Sequence, residues 1–257
     1  MEWMDRFVEI MNIVSSEHQH GIGVTMLAND TGLSKGTLHR ILQNMVKYEL
    51  IVQQADSKRY YLGPLSMIWG SRFVKGKDIS QLLSGYCDDI AEKSRMYAYL
   101  CRFVTNEVYC IYTHQPEQER KTYFVHVGQR MPLHCAAASK AVLAFQPIEK
   151  VRYLLEQTPR NRYTENTCMN VPELMAELDV VRDKRIAWCR EEMENGVSAL
   201  SIPLFADGAT AFFSLSLVGT TAELSDNQTR IEELLLLEGQ KVNEQLSGIN
   251  AFSPIAR

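Results

Sequence analysis

Between Ser34 and Gln43 lies a run of side chains suited to nucleic acid: Ser34, Lys35, Thr37, His39, Arg40 and Gln43. Arginine and lysine match the paired acceptors of guanine, glutamine matches adenine, and hydroxyls reach phosphate or base. Leu38, Ile41 and Leu42 alternate with them at helical spacing, so one face can pack while the other meets a groove. Lys58 and Arg59 follow in a polar turn. Between residues 34 and 60 five cations stand against two anions, a local net of +3 in a chain whose formal charge is −4. Positive charge is thus concentrated where phosphates would sit. A solvated charged face accounts for any single lysine; the interleaved hydrogen-bonding residues argue for more.

Catalytic groupings are sparser. His134 and Cys135 could form a thiol–imidazole couple for a small-molecule hydrolase, but neighbours in an extended segment point to opposite sides. Glu191 and Glu192 are adjacent too, and are expected to cap or hydrogen-bond a loop rather than share acid–base work. No phosphate-binding loop, dinucleotide fingerprint or H-E-x-x-H zinc motif occurs. The six cysteines include no C-x-x-C pair, so reduced, mostly buried thiols are expected. The expectation is no catalytic residue, no metal and no cofactor.

The elements that must carry these residues divide into two groups. Trp3, Phe7, Ile10, Met11 and Val14 mark a first helix. Val24 to Thr31 forms a second, stopped at Gly32, and Ser34 caps a third from Lys35 to Tyr48. Helix, glycine turn, helix is the form of a helix-turn-helix. Ile51–Gln54 and Arg59–Leu62 make a hairpin directly after it, a wing. Thr25, on the helix before the turn, joins the candidate DNA contacts. Pro64 to about Lys75 is again helical, with Leu65, Ile68, Trp69 and Phe73 as an apolar stripe.

The remainder mixes strands and helices. Asp78–Arg95 reads as a helix. Met96–Val104 and Glu107–Thr113 read as a hairpin, and Thr122–Val127 as a strand. Helices follow at Cys135–Phe145 and Ile148–Gln157 and from Pro172. Val197–Phe205 and Ala209–Val218 form a second hairpin across Ala206-Asp207-Gly208, and Ser225 caps a last helix. Adjacent hairpins with helices around them give an α+β class. The expected layout is a winged domain over residues 1–63, a linker helix over 64–77 and a second domain over 78–257. The length of 257 residues and 46% hydrophobic content fit two modest globular domains. No run of about 18 apolar residues suggests a membrane span. Acidic residues stand where a signal peptide would be basic, so a cytoplasmic location is expected.

Three stretches resemble the IclR family of bacterial transcription regulators. The first is Leu27-Ala28 with Gly32-Leu33-Ser34-Lys35-Gly36-Thr37-Leu38-His39-Arg40-Ile41-Leu42, closed by Tyr60-Tyr61-Leu62-Gly63. The second is Val127-Gly128-Gln129-Arg130-Met131-Pro132-Leu133-His134, running into Ala138-Ser139-Lys140-Ala141. The third is Glu191-Glu192, Gly196-Val197 and Ile202-Pro203-Leu204-Phe205. The resemblance implies an N-terminal winged helix-turn-helix and a C-terminal effector domain with a GAF-like antiparallel sheet. It also implies a homodimer, or a homotetramer of two such dimers, on a palindromic double-stranded DNA operator. A repressor of catabolic genes that senses a small organic acid is the implied function.

By the same resemblance the effector sits among Ala137, Ala138, Cys189, Ala199, Ser216 and Val218, with the amides of Ala137 and Ala138 as its anchor. The chain departs from the family pattern at several of these. Cys189 and Ala199 stand where aspartate and cysteine are usual, and Val218 replaces a serine. Ser139 replaces a glycine, and Glu49 stands where a glycine usually ends the recognition helix. The altered residues offer fewer hydrogen bonds, so a carboxylate with a substantial apolar part is expected over a sugar acid. The alternative reading keeps a ligand-sensing domain but uses the winged helix as a protein-docking module.

Overall fold

A computed structural model describes residues 3–17, 20–74, 79–116, 125–205 and 209–248. The chain divides into two units, Met1–Gly76 and Lys77–Arg257. The first begins with α1 (Trp3–Ser16), α2 (Val24–Thr31) and α3 (Lys35–Lys47). Gly32, at φ 65°, takes the left-handed conformation that stops α2. Ser34 caps α3, its hydroxyl accepting the Thr37 N–H at 3.2 Å. Strands β1 (Ile51–Gln53) and β2 (Tyr60–Leu62) pair antiparallel, and Ile22 bridges to Tyr60. The core joins Ile10, Val14, Leu27, Leu38, Leu42 and Tyr60, so α1 and the wing share one apolar centre with the helix-turn-helix.

Glu49 does the work of the usual glycine at the exit of α3 by adopting φ 57° itself. The chain then doubles back tightly. A Cβ at Gly63 would lie 2.1 Å from the Glu49 carbonyl oxygen, so only glycine fits where the wing returns to the helix end. Helix α4 (Pro64–Val74) follows, covering most of the expected linker; residues 75–78 lie outside the described residues.

The second unit opens with α5 (Ile79–Ser94), β3 (Tyr97–Val104), β4 (Glu107–His114) and β5 (Arg130–Met131). It continues with α6 (Ala137–Leu143), α7 (Ile148–Gln157), α8 (Val171–Lys184) and β6 (Ala187–Arg190). Strands β7 (Val197–Phe205) and β8 (Ala211–Thr220) and helices α9 (Thr221–Asp226) and α10 (Gln228–Gly248) complete it. The strands form one antiparallel sheet in the order β5-β4-β3-β8-β7-β6. Alternation along the strands loads both faces. Leu100, Leu200, Ile202, Leu215 and Leu217 pack with α5 and α10, whereas Tyr99, Cys101, Ala199 and Val218 pack with α6, α7 and α8. The unit is therefore α+β, with helices on both sides of the sheet.

Some local expectations change. Ser225 lies inside α9; the cap is Thr220, whose hydroxyl and the Glu223 carboxylate form a reciprocal capping box. The helical run that Ser225 was expected to cap is divided: the short α9 starts after Thr220, at the end of a buried strand, and the last helix, α10, begins only at Gln228. Of the expected strand Thr122–Val127, residues 122–124 lie outside the described residues and 125–127 are irregular. The turn 206–208 also lies outside. The helix expected over Cys135–Phe145 is confined to Ala137–Leu143, because residues 133–135 form a turn. Strands β5 and β6 were not anticipated. No helix among the described residues is long and apolar enough to cross a membrane.

Candidate functional site

Helix α3 buries Leu38, Leu42 and Met45 and half-buries Ile41. At 100° per residue, Arg40, Gln43 and Lys47 fall on the opposite side, and all three are exposed. Lys35 and His39 are exposed nearer the helix start, as is Thr25 on α2. Asn44 and Lys47 share this outward face; their helical spacing from Arg40 was the signal that could have added them to the expected contacts. No ion pair ties Arg40 to an acid among the described residues. Ser34 and Thr37 are more constrained, since the Ser34 hydroxyl donates to Thr37 Oγ1 at 3.0 Å within the cap.

The two wing cations differ. Lys58 is exposed. Arg59 folds back, and its Nη1 donates to the carbonyls of His20 and Gly21 at 3.1 and 2.9 Å. It thereby ties the hairpin to the loop between α1 and α2. Arg59→Ala is expected to lower the stability of this unit by about 1 kcal/mol through lost charged hydrogen bonds. Lys58→Ala should leave stability within error and reduce only the salt dependence of DNA binding. Urea melts and anisotropy titrations of both variants check this; equal behaviour would refute the division of labour.

In the second unit, Cys189 pairs with Ala199, Ala199 with Val218, and Val218 with Tyr97. These four residues form a row across β6, β7, β8 and β3, on the face covered by α6. Ala137 and Ala138 begin α6 and are buried in the same cluster. The N–H groups of a helix's first turn have no partner within the helix. Ser216 stands two residues before Val218, so it shares that face, but its hydroxyl is committed. It donates to Ser201 Oγ at 2.7 Å and also bonds the Tyr99 hydroxyl. Ser216 therefore belongs to an internal hydroxyl chain, because buried hydroxyls must be paired. Burial pushes the Cys189 thiol up to about 11, although the backbone N–H groups of Glu192 and Met193 act in the other direction. It is a neutral, weakly polar group.

Beside this row lies an ionic triad that sequence reasoning missed, with Lys140 and Glu192 buried and Glu177 half-buried. Lys140 on α6 is 1% exposed, and its Nζ lies 2.6 Å from Glu177 Oε1 and 2.7 Å from Glu192 Oε1. Glu192 is thus not a simple loop cap: it joins α6, α8 and the loop after β6. That loop is fixed further by Thr164 and Thr167, whose hydroxyls donate to the carbonyls of Glu191 and Glu192. Desolvation pushes the Glu192 carboxyl up despite the opposing effect of Lys140. Burial likewise works against the Lys140 charge, but the two carboxylates outweigh it and hold its pKa above the usual lysine range. The sequence signal was weak, since Lys140, Glu177 and Glu192 are far apart along the chain.

His134 and Cys135 do not form a couple. The His134 Nε2 faces the Asn161 carbonyl at 3.0 Å, and its ring stacks near Tyr163. Burial lowers the His134 pKa, and burial drives that of the Cys135 thiol far up, which disfavours the thiolate a nucleophile needs. All six cysteines are free thiols, five of them buried. Among the described residues no cluster of three metal-ligating side chains occurs.

Comparison with known proteins agrees with both units. A family model described as the IclR helix-turn-helix domain matches residues 4–55, and one described as Bacterial transcriptional regulator IclR C-terminal matches residues 71–244. The chain is 25% identical over 227 residues to the HTH-type transcriptional regulator KdgR of Dickeya chrysanthemi, covering 88% of this chain and 74% of that one. An IclR transcriptional regulator from Alicyclobacillus acidocaldarius shares the fold with a TM-score of 0.79 at 23% identity, over 95% of this chain and 99% of that one. An IclR homologue from Microbacterium hydrocarbonoxydans, complexed with 4-hydroxybenzoate, gives a TM-score of 0.80 at 17% identity over 96% and 100% of the two chains. With both a matching helix-turn-helix and a matching C-terminal domain, the chain belongs to the IclR family of DNA-binding bacterial transcription regulators.

Proposed function

We propose that this protein is a repressor whose grip on a palindromic operator is altered by a small carboxylate with a substantial apolar part. The observation that carries the reading is the outward face of α3, where Arg40, Gln43 and Lys47 lie opposite the buried leucines. Such a face enters the major groove, with the wing's Lys58 on a flanking phosphate. The regulated genes are catabolic ones. For the effector, Ala137 and Ala138 provide backbone amides, while Cys189, Ala199 and Val218 provide an apolar wall. With Ser216 committed internally, a polyhydroxylated ligand would leave hydroxyls unpaired at about 1–3 kcal/mol each. The aromatic acid in the Microbacterium homologue is of the favoured chemical kind. A homodimer supplies the two-fold symmetry that a palindrome requires. Met67 and Trp69 on α4, exposed at 71% and 52%, are the apolar surface assigned to subunit contact.

The test is a DNA titration with and without benzoate, 4-hydroxybenzoate and gluconate, at two salt concentrations. Steep salt dependence and a shift in operator affinity caused by the aromatic acids are expected. Salt-independent binding would favour the protein-docking role, and a response to gluconate alone would overturn the ligand class.

A further inference from the structure

We propose a second small-molecule site, for a short-chain monocarboxylate, where α5 ends, β3 begins and β8 and α10 meet. A cavity of about 140 Å³ lies there, with Arg95 and Arg230 among its lining residues and Met96, Val218 and Ile231 as apolar walls. Its described lining holds no residue of α6, β6 or β7; Val218 is common to it and to the effector wall above, whereas Ala137 and Ala138, the effector's anchor, are not part of it.

The backbone singles out Arg95. The Met96 N–H donates to the Ala91 carbonyl at 3.2 Å, which closes α5 with the six-to-one bond of a Schellman turn. Arg95 is the left-handed residue of that turn, at φ 59°. Glycine is the usual occupant, because a side chain there carries a conformational cost. Arg185, at the end of α8, is a second left-handed arginine, and its side chain has a packing role: the guanidinium lies over the Phe145 and Phe205 rings at 5.3 and 4.9 Å. Arg95 has no ring, carboxylate or carbonyl partner among the described residues. It holds a left-handed position in the lining of the cavity, and no hydrogen bond or ion pair among the described residues commits its guanidinium.

Arg230 is the second cation, in the first turn of α10. It spends one donor on the Lys93 carbonyl at 3.3 Å and has others to offer. Glu223, the acid in the lining, is engaged through Oε2 by the Thr220 amide and hydroxyl. Two arginines and apolar side chains in one lining match a carboxylate with a short hydrocarbon tail, since guanidinium pairs with carboxylate through parallel hydrogen bonds. The size agrees, as an engineered cavity of about 150 Å³ admits benzene. A bound butyrate would link the end of α5 to α10 through its two arginines.

Calorimetry on the full-length protein, at constant ionic strength, with sodium butyrate, 1-butanol and sodium phosphate tests this. Saturable binding of butyrate, and not of butanol or phosphate, is expected. Arg230→Gln should weaken it about tenfold or more. Arg95→Gly should weaken it similarly while raising the melting temperature without ligand, because glycine relieves the left-handed strain. The opposite signs separate a binding role from a structural one. Absence of saturable butyrate binding, equal binding of butanol, or preference for phosphate would overturn the proposal. So would unchanged butyrate affinity in both arginine variants, which would place the anion under α6 instead.

Discussion

Lys140→Met is expected to destabilise the second unit by about 3–5 kcal/mol, the cost of leaving a buried carboxylate without its cation. Glu192 is 8% exposed, and its Oε2 already has no hydrogen-bond partner. Removing Lys140 takes away the charge that restrains the Glu192 pKa, so this carboxyl rises further above its unfolded value. A raised carboxyl binds a proton more readily in the folded state, so its favourable contribution is present at low pH and lost as pH rises through the folded pKa. The defect should accordingly be larger near about pH 8 than near about pH 5. Urea denaturation of the variant at the two pH values measures it. Adding Glu192→Leu should recover much of the stability, since an apolar replacement removes the stranded charge. A loss below about 1 kcal/mol that does not change with pH would contradict a buried Lys140–Glu192 pair.

The recognition helix should give the next largest effect. Gln43→Ala and Arg40→Ala, each removing a base contact of the proposed recognition helix, are expected to weaken operator binding by about 1–3 kcal/mol apiece. Their combination should cost about a hundredfold or more in affinity. Gln43→Ala should leave non-specific binding almost untouched, whereas Lys47→Ala should weaken all duplexes and lower the salt slope by about 1. Anisotropy titrations against a duplex selected from random sequence, and against a scrambled control, read these differences. Unchanged operator affinity in the double variant would remove α3 from the groove.

Determined by the sequence alone are the parts whose physics is local. The apolar spacing of Leu38, Leu42 and Met45, the Ser34 cap and the left-handed Gly32 act within a few residues, so the helix-turn-helix and its outward cations are readable from the chain. The wing and the β3–β4 and β7–β8 pairs follow likewise from strand-forming runs separated by a few turn-forming residues. The row formed by Cys189, Ala199 and Val218 is different. Its members come from three strands, and only sheet register places them side by side. Register also sets Ser216 against Ser201 and so commits its hydroxyl internally. Arg59 looked like a free wing cation because its partners, the carbonyls of His20 and Gly21, are backbone groups with no sequence signature. The Lys140 triad spans α6, α8 and the loop after β6, and each of its residues reads as a surface charge in isolation. Tertiary structure decided these features because burial and pairing are properties of three-dimensional neighbours, which the order of residues along the chain does not display.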